Sequence, residues 1–174
     1  VATLTTNVAQ TVSVTVISSG GGIQCFGACT ASAIANASGG TGAYTYTWAV
    51  STQTTQTAVN LCAGNYTVTA ADGLGCSNTS TITFVAPPAI IISPIQINAT
   101  CFGNCNGSIN SNASGGTGAL TYSWSPGGSS GSSINISSGS TTTYTVTGTT
   151  AGCSSTAVAT VTVNTVLSSS INQN

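Results

Sequence analysis

The chain has 174 residues, 40% of them hydrophobic, and a single charged side chain, Asp72, with no Lys, Arg, His or Glu. Without cations it cannot displace counterions from phosphates or attach electrostatically to an anionic membrane, which excludes nucleic-acid and membrane-surface binding. No apolar run is long enough to span a bilayer, and near-zero charge with this apolar content predicts a folded chain.

Residues 1–10, VATLTTNVAQ, align with the segment that closes the first repeat and are expected to be the last strand of a preceding repeat. Thr11 to Ile17, TVSVTVI, alternates strictly and predicts the first strand of repeat one, residues 11–86. Gly20, Gly21 and Gly22 interrupt the chain before Cys25. The stretch Cys25 to Trp48, CFGACTASAIANASGGTGAYTYTW, recurs as Cys101 to Trp124, CFGNCNGSINSNASGGTGALTYSW, at a constant offset of 76 residues, and a period of that size means tandem domains. Within it a strand is expected over Thr30 to Ala37, then a GGTG turn, then a strand in which Tyr44, Tyr46 and Trp48 share one face. A polar strand is expected over Thr52 to Val59, and NLCAGNYTVTA follows, with Tyr66, Val68 and Ala70 alternating with threonines. Asp72 and Gly73 are a hairpin turn signal, and Ser77 to Val85 is the returning strand with Ile82 and Phe84 inward.

Pro87 and Pro88 mark a short, stiff boundary, since two prolines favour extended backbone. Repeat two, residues 87–165, keeps the order: Ala89 to Ile97, the Cys101 block, a Gly/Ser-rich loop from Pro126 to Ser133, the segment ending at Cys153, and a last strand over Thr156 to Val163. Residues 166–174 are expected to open a following repeat. Six or seven short strands per unit, bounded by turn residues, predict an all-β chain of tandem immunoglobulin-like β-sandwiches, with Trp48 and Trp124 in the cores and Tyr66 and Tyr144 placed like corner tyrosines. Serine and threonine, about a third of the chain, suit outward positions of such sheets, and no stretch has helical spacing.

The ordered set CFGxC, SGGTGAYTYTW, NLCAGNYTVT and DGLGC resembles the SprB-type repeat of large cell-surface adhesins of gliding Bacteroidota. The resemblance is closest over repeat one. In repeat two, Thr149 to Gly152 replaces the acidic turn and ISSGSTTTY replaces NLCAGNY, which is nearer to a generic bacterial immunoglobulin-like module. The resemblance implies a secreted or surface-exposed array exported by the type IX route and serving adhesion or motility, with no catalytic residues.

Seven cysteines in so short a chain point to an oxidising, extracytoplasmic setting. Matching positions in the two copies pair Cys25 with Cys76 and Cys101 with Cys153; elimination then pairs Cys29 with Cys62 and leaves Cys105 as a buried thiol or a covalent link to another subunit. Zinc is the rival reading of the Cys25–Cys29 spacing, but the chain lacks His and its second copy holds only three cysteines. One carboxylate cannot build an acid–base pair or a calcium site, and no His or Lys can activate a serine, so neither catalysis nor a cofactor or metal is expected. Asp72 reads as a turn former.

Two function classes remain: an adhesive or structural repeat of an extracellular filament, and a carbohydrate-binding module in which Trp48, Tyr44 and Tyr46 form a sugar platform. Leu120 at the place of Tyr44 favours core over platform. Seven Asn-x-Ser/Thr sites are close to the number expected by chance in this composition. Without lysines to guard sheet edges, copies of the chain or adjoining repeats are the expected partners, end to end or by strand sharing, besides a surface or glycan ligand.

Overall fold

The computed structural model describes residues 10–100 and 106–163, all in strands, turns and loops. The chain divides between Pro87 and Pro88 into two compact units.

Among its described residues unit 1 holds six strands: β1 (Ser13–Ser18), β2 (Ala31–Ser38), β3 (Thr45–Trp48), β4 (Thr57–Leu61), β5 (Gly64–Ala71) and β6 (Ser77–Phe84). They form two antiparallel three-stranded sheets, β1-β2-β4 and β3-β5-β6. The alternation is sharpest on β2, where Ala31, Ala33 and Ala35 point inward with no exposure, and on β5, where Tyr66, Val68 and Ala70 are buried. The alanines leave room for Trp48, which fills the space between the sheets. β1 also packs beside β6, and Asn78 Nδ2 donates to the Val12 carbonyl at 3.0 Å across that seam.

Unit 2 repeats this plan with β7 (Ile91–Ile97), β8 (Gly107–Ser114), β9 (Thr121–Ser125), β10 (Ser133–Ile136), β11 (Thr142–Thr150) and β12 (Cys153–Val161). Its sheets are β7-β8-β10 and β9-β11-β12, the same order as in unit 1. Three strands facing three, with the first beside the last, is an immunoglobulin-like sandwich. The cores differ in detail. Ile109 stands where unit 1 has Ala33, and Val161 where it has Phe84, so volume added on one sheet is removed on the other.

Two expected elements differ in place. The strand expected over Thr52 to Val59 begins only at Thr57, because residues 49–56 form a wide turn that returns under the Trp48 indole. The Asp72–Gly73 hairpin is a five-residue turn, 72–76, closed by the Asp72 side chain; in unit 2 the same hairpin is a two-residue turn, Ala151 and Gly152, both at positive φ. The strands expected in residues 1–10 and 166–174 fall on stretches outside the described residues, apart from Gln10.

Candidate functional site

The repeated block closes the sandwich. Gly39 and Gly40 have φ of 75° and 65°; a Cβ on Gly39 would lie 2.3 Å from the Thr11 carbonyl oxygen, and one on Gly40 would lie 2.6 Å from Asp72 Oδ2. In unit 2, Gly115 is as tightly held by the Ala89 carbonyl and Gly116 by Thr150. The loop is thus wedged between the lead-in to the first strand and the last hairpin, where only glycine fits. Asp72 fastens it in unit 1: Oδ2 accepts from Thr41 N–H, and Oδ1 accepts from Leu74 and Cys76 N–H. The Thr41 N–H, followed by those of Cys76, Leu74 and Gly75, holds the carboxyl below its ordinary range, against the opposing effect of burial.

Downstream of the loop, each tryptophan ends its inward row buried, with its indole N–H donated to a loop carbonyl: Trp48 to Thr55 at 2.9 Å, Trp124 to Gly131 at 2.7 Å. A sugar platform needs an exposed ring face, and these rings have 1–2% exposure. Tyr44 and Tyr46 are half-buried, the Tyr44 hydroxyl donating to the Gly39 carbonyl. Tyr66 makes the corner: its hydroxyl accepts from Cys62 N–H at 3.1 Å and donates to the Cys62 carbonyl at 3.2 Å, and its ring meets Phe84 edge-on at 6.3 Å. Tyr144 occupies the same corner of unit 2, but it is only half-buried and has Val161 in place of that phenyl ring.

One expected cysteine pair forms and another does not. Cys29 and Cys62 are joined, linking the start of β2 to the end of β4. Cys76 is free and exposed in the Asp72 turn, so the Cys25–Cys76 pair does not form; the five-residue turn presents the thiol to solvent. Cys25 and Cys153 are each disulfide-bonded. Cys101 and Cys105 lie outside the described residues.

Each unit has a shallow groove at the corner tyrosine. That of unit 1, about 520 Å³, runs between Val50, Gln53, Asn60 and Tyr66; that of unit 2, about 300 Å³, between Pro126, Ser129, Asn135 and Tyr144. Both are uncharged, and their linings differ at most matching positions. Gln53 has a role that residue type alone did not announce: its amide donates to the Val59 carbonyl and accepts the Val59 N–H, both at 3.0 Å. It covers the outer edge of β4 as a neighbouring strand would, which is how an edge without lysine is blunted here. The matching Ser129 in unit 2 is too short for this. No cluster of three His, Cys, Asp or Glu that could hold a metal occurs among the described residues.

The fold and these sites define a tandem pair of immunoglobulin-like sandwiches whose repeated motif holds the sandwich shut. A family model described as the SprB repeat matches the chain twice, at residues 23–52 and 94–129, once in each unit. No curated protein matches the chain. Similar solved structures include one described as "Structural basis for Dscam isoform specificity" (13% identity, TM-score 0.38, 82% of this chain) and the eight N-terminal Ig domains of DSCAM isoform 1.30.30 (14%, 0.42, 90%). A third is the amphioxus IgVJ-C2 molecule (12%, 0.37, 86% of this chain and 96% of that one). This chain spans 42% and 25% of the length of the first two.

Proposed function

We propose that the chain is a non-catalytic repeat fragment of an extracellular filament or large cell-surface adhesin, whose sandwiches act as stiff, neutral spacers assembling with copies of themselves. The observation that supports this best is the use of the repeated block. The residues matched by the SprB repeat model include both glycine wedges and both tryptophans, which are spent on closing the two sandwiches. The surface around them offers hydroxyls, amides and methyl groups, suited to many weak contacts with a neutral substratum. Secretion by the type IX route and a part in gliding belong to the same reading.

The test is retention under flow. Cells displaying the chain on an unrelated surface anchor should stay attached to glass or a neutral polysaccharide film at shear that removes cells displaying the anchor alone. Equal detachment of the two would end the adhesive reading.

A further inference from the structure

The two units expose isoleucine at the same place in the fold. β1 pairs Ile17 with Ile34 and β7 pairs Ile95 with Asn110; Ile34 and Asn110 are matching positions, so Ile17 and Ile95 are as well. Ile17 is 54% exposed and Ile95 59%, although the two strands, SVTVIS and IISPIQI, share little else. Unit 2 adds Ile91 and Ile97 on the same face of β7, and unit 1 adds Val59 on β4. Single exposed apolar residues are ordinary, but a matching pair enlarged differently on each unit is not. The other sheet of each unit is more polar: outward rows such as Thr47, Thr69 and Thr79, or Ser123, Thr147 and Thr156, present hydroxyls, and among its described strand residues only Val158 is an exposed large apolar side chain.

We propose that these faces bind each other between copies, the β7 face of one chain resting on the β1–β2–β4 face of the next. The inference depends on the reading of the chain as a self-assembling repeat and identifies the surface that does it. Charge selects the occupant. The only charged side chain, Asp72, is buried, so a partner with fixed charges would lose their hydration against these isoleucines and find no counter-charge. A second copy has none to lose and carries a complementary apolar face. Because each chain holds one face of each kind, the contact leaves a free face at either end and propagates as an open chain of molecules.

Three strand widths by seven residues is about 14 Å by about 24 Å. Even doubled over two partners this falls short of the roughly 1,200 Å² of a stable interface, so single contacts are weak and association depends on concentration.

Sedimentation and light scattering of the purified chain test this, with Ile95→Lys, Ile17→Lys and, as a control on the hydroxyl face, Thr147→Lys, each checked for an unchanged melting curve. The wild type and the control should rise in average mass several-fold with concentration, while each isoleucine variant alone stays at the monomer mass of 16.9 kDa. An equimolar mixture of the two isoleucine variants should form particles of twice that mass and no larger, because each retains the face the other has lost. An isoleucine variant that assembles like the wild type, or a mixture that stays monomeric, overturns this pairing while leaving self-assembly intact. A wild type that is monomeric throughout overturns pairing and assembly together, and the flow assay still decides adhesion separately.

Discussion

The carboxylate of Asp72 accepts the backbone N–H of Thr41 at 3.0 Å, whereas in unit 2 the hydroxyl of Thr150 donates to the carbonyl of Thr117 at 2.9 Å. The same loop is fastened to the same hairpin with donor and acceptor exchanged, and only the first version is ionisable. Asp72 has a folded pKa below its unfolded value of about 3.9. Its contribution is therefore present above the unfolded pKa and disappears as pH falls through the folded one. Calorimetry from pH 7 to pH 2 should show the unit 1 transition falling in temperature below about pH 4 while the unit 2 transition holds. Asp72→Asn should lower unit 1 at pH 7 and flatten its acid response. An unshifted unit 1 transition at pH 2 would mean the carboxylate is not the fastener.

The corner tyrosines should respond unequally. Removing the Tyr66 hydroxyl leaves the part-buried Cys62 N–H without its acceptor, so Tyr66→Phe should destabilise unit 1 by about 1–2 kcal/mol. Tyr144→Phe should stay within about 0.5 kcal/mol, since that ring is half-exposed. Urea denaturation of the two variants reads both numbers, and equal losses would contradict the asymmetry.

Ser111 is 3% exposed and its Oγ has no hydrogen-bond partner, while the matching residue of unit 1, Ala35, is fully buried. A buried hydroxyl without a partner loses its hydration and gains nothing. Ser111→Ala should therefore stabilise unit 2 by about 1–2 kcal/mol, and a loss of stability in urea denaturation would show that the hydroxyl is satisfied.

Much of this architecture could be read from the residues because two independent patterns agree. The two-residue alternation in Ala31 to Ala37 and Tyr66 to Ala70 marks inward rows, and the 76-residue period requires the same topology twice. The buried tryptophans follow from the same alternation. β4 was legible only in part, since TQTTQT has no apolar rhythm and its start is set by the Trp48–Thr55 hydrogen bond from another strand. The Gln53 clasp on Val59 was not legible, because a glutamine in a polar loop has the same signature whether or not it meets an edge. The exposed isoleucines were hidden for the opposite reason: in IISPIQI both faces are apolar, and alternation cannot say which face is buried.

The two copies part at Cys76. Cys76 and Cys153 match in sequence position, yet Cys153 is bonded and Cys76 is free, one at the end of a two-residue hairpin and the other in a five-residue turn. Iodoacetamide added to the native, unreduced protein should label Cys76 and leave Cys29 and Cys62 unlabelled. Cys76→Ser should leave unit 1 stability unchanged. Replacing both Cys29 and Cys62 by serine opens a crosslink between residues 33 apart, which should cost about 4 kcal/mol, a large part of what a sandwich this small retains. Should Cys76→Ser instead lower stability by a similar amount, with Cys76 refusing the label, the thiol is bonded and the sequence-based pairing is restored.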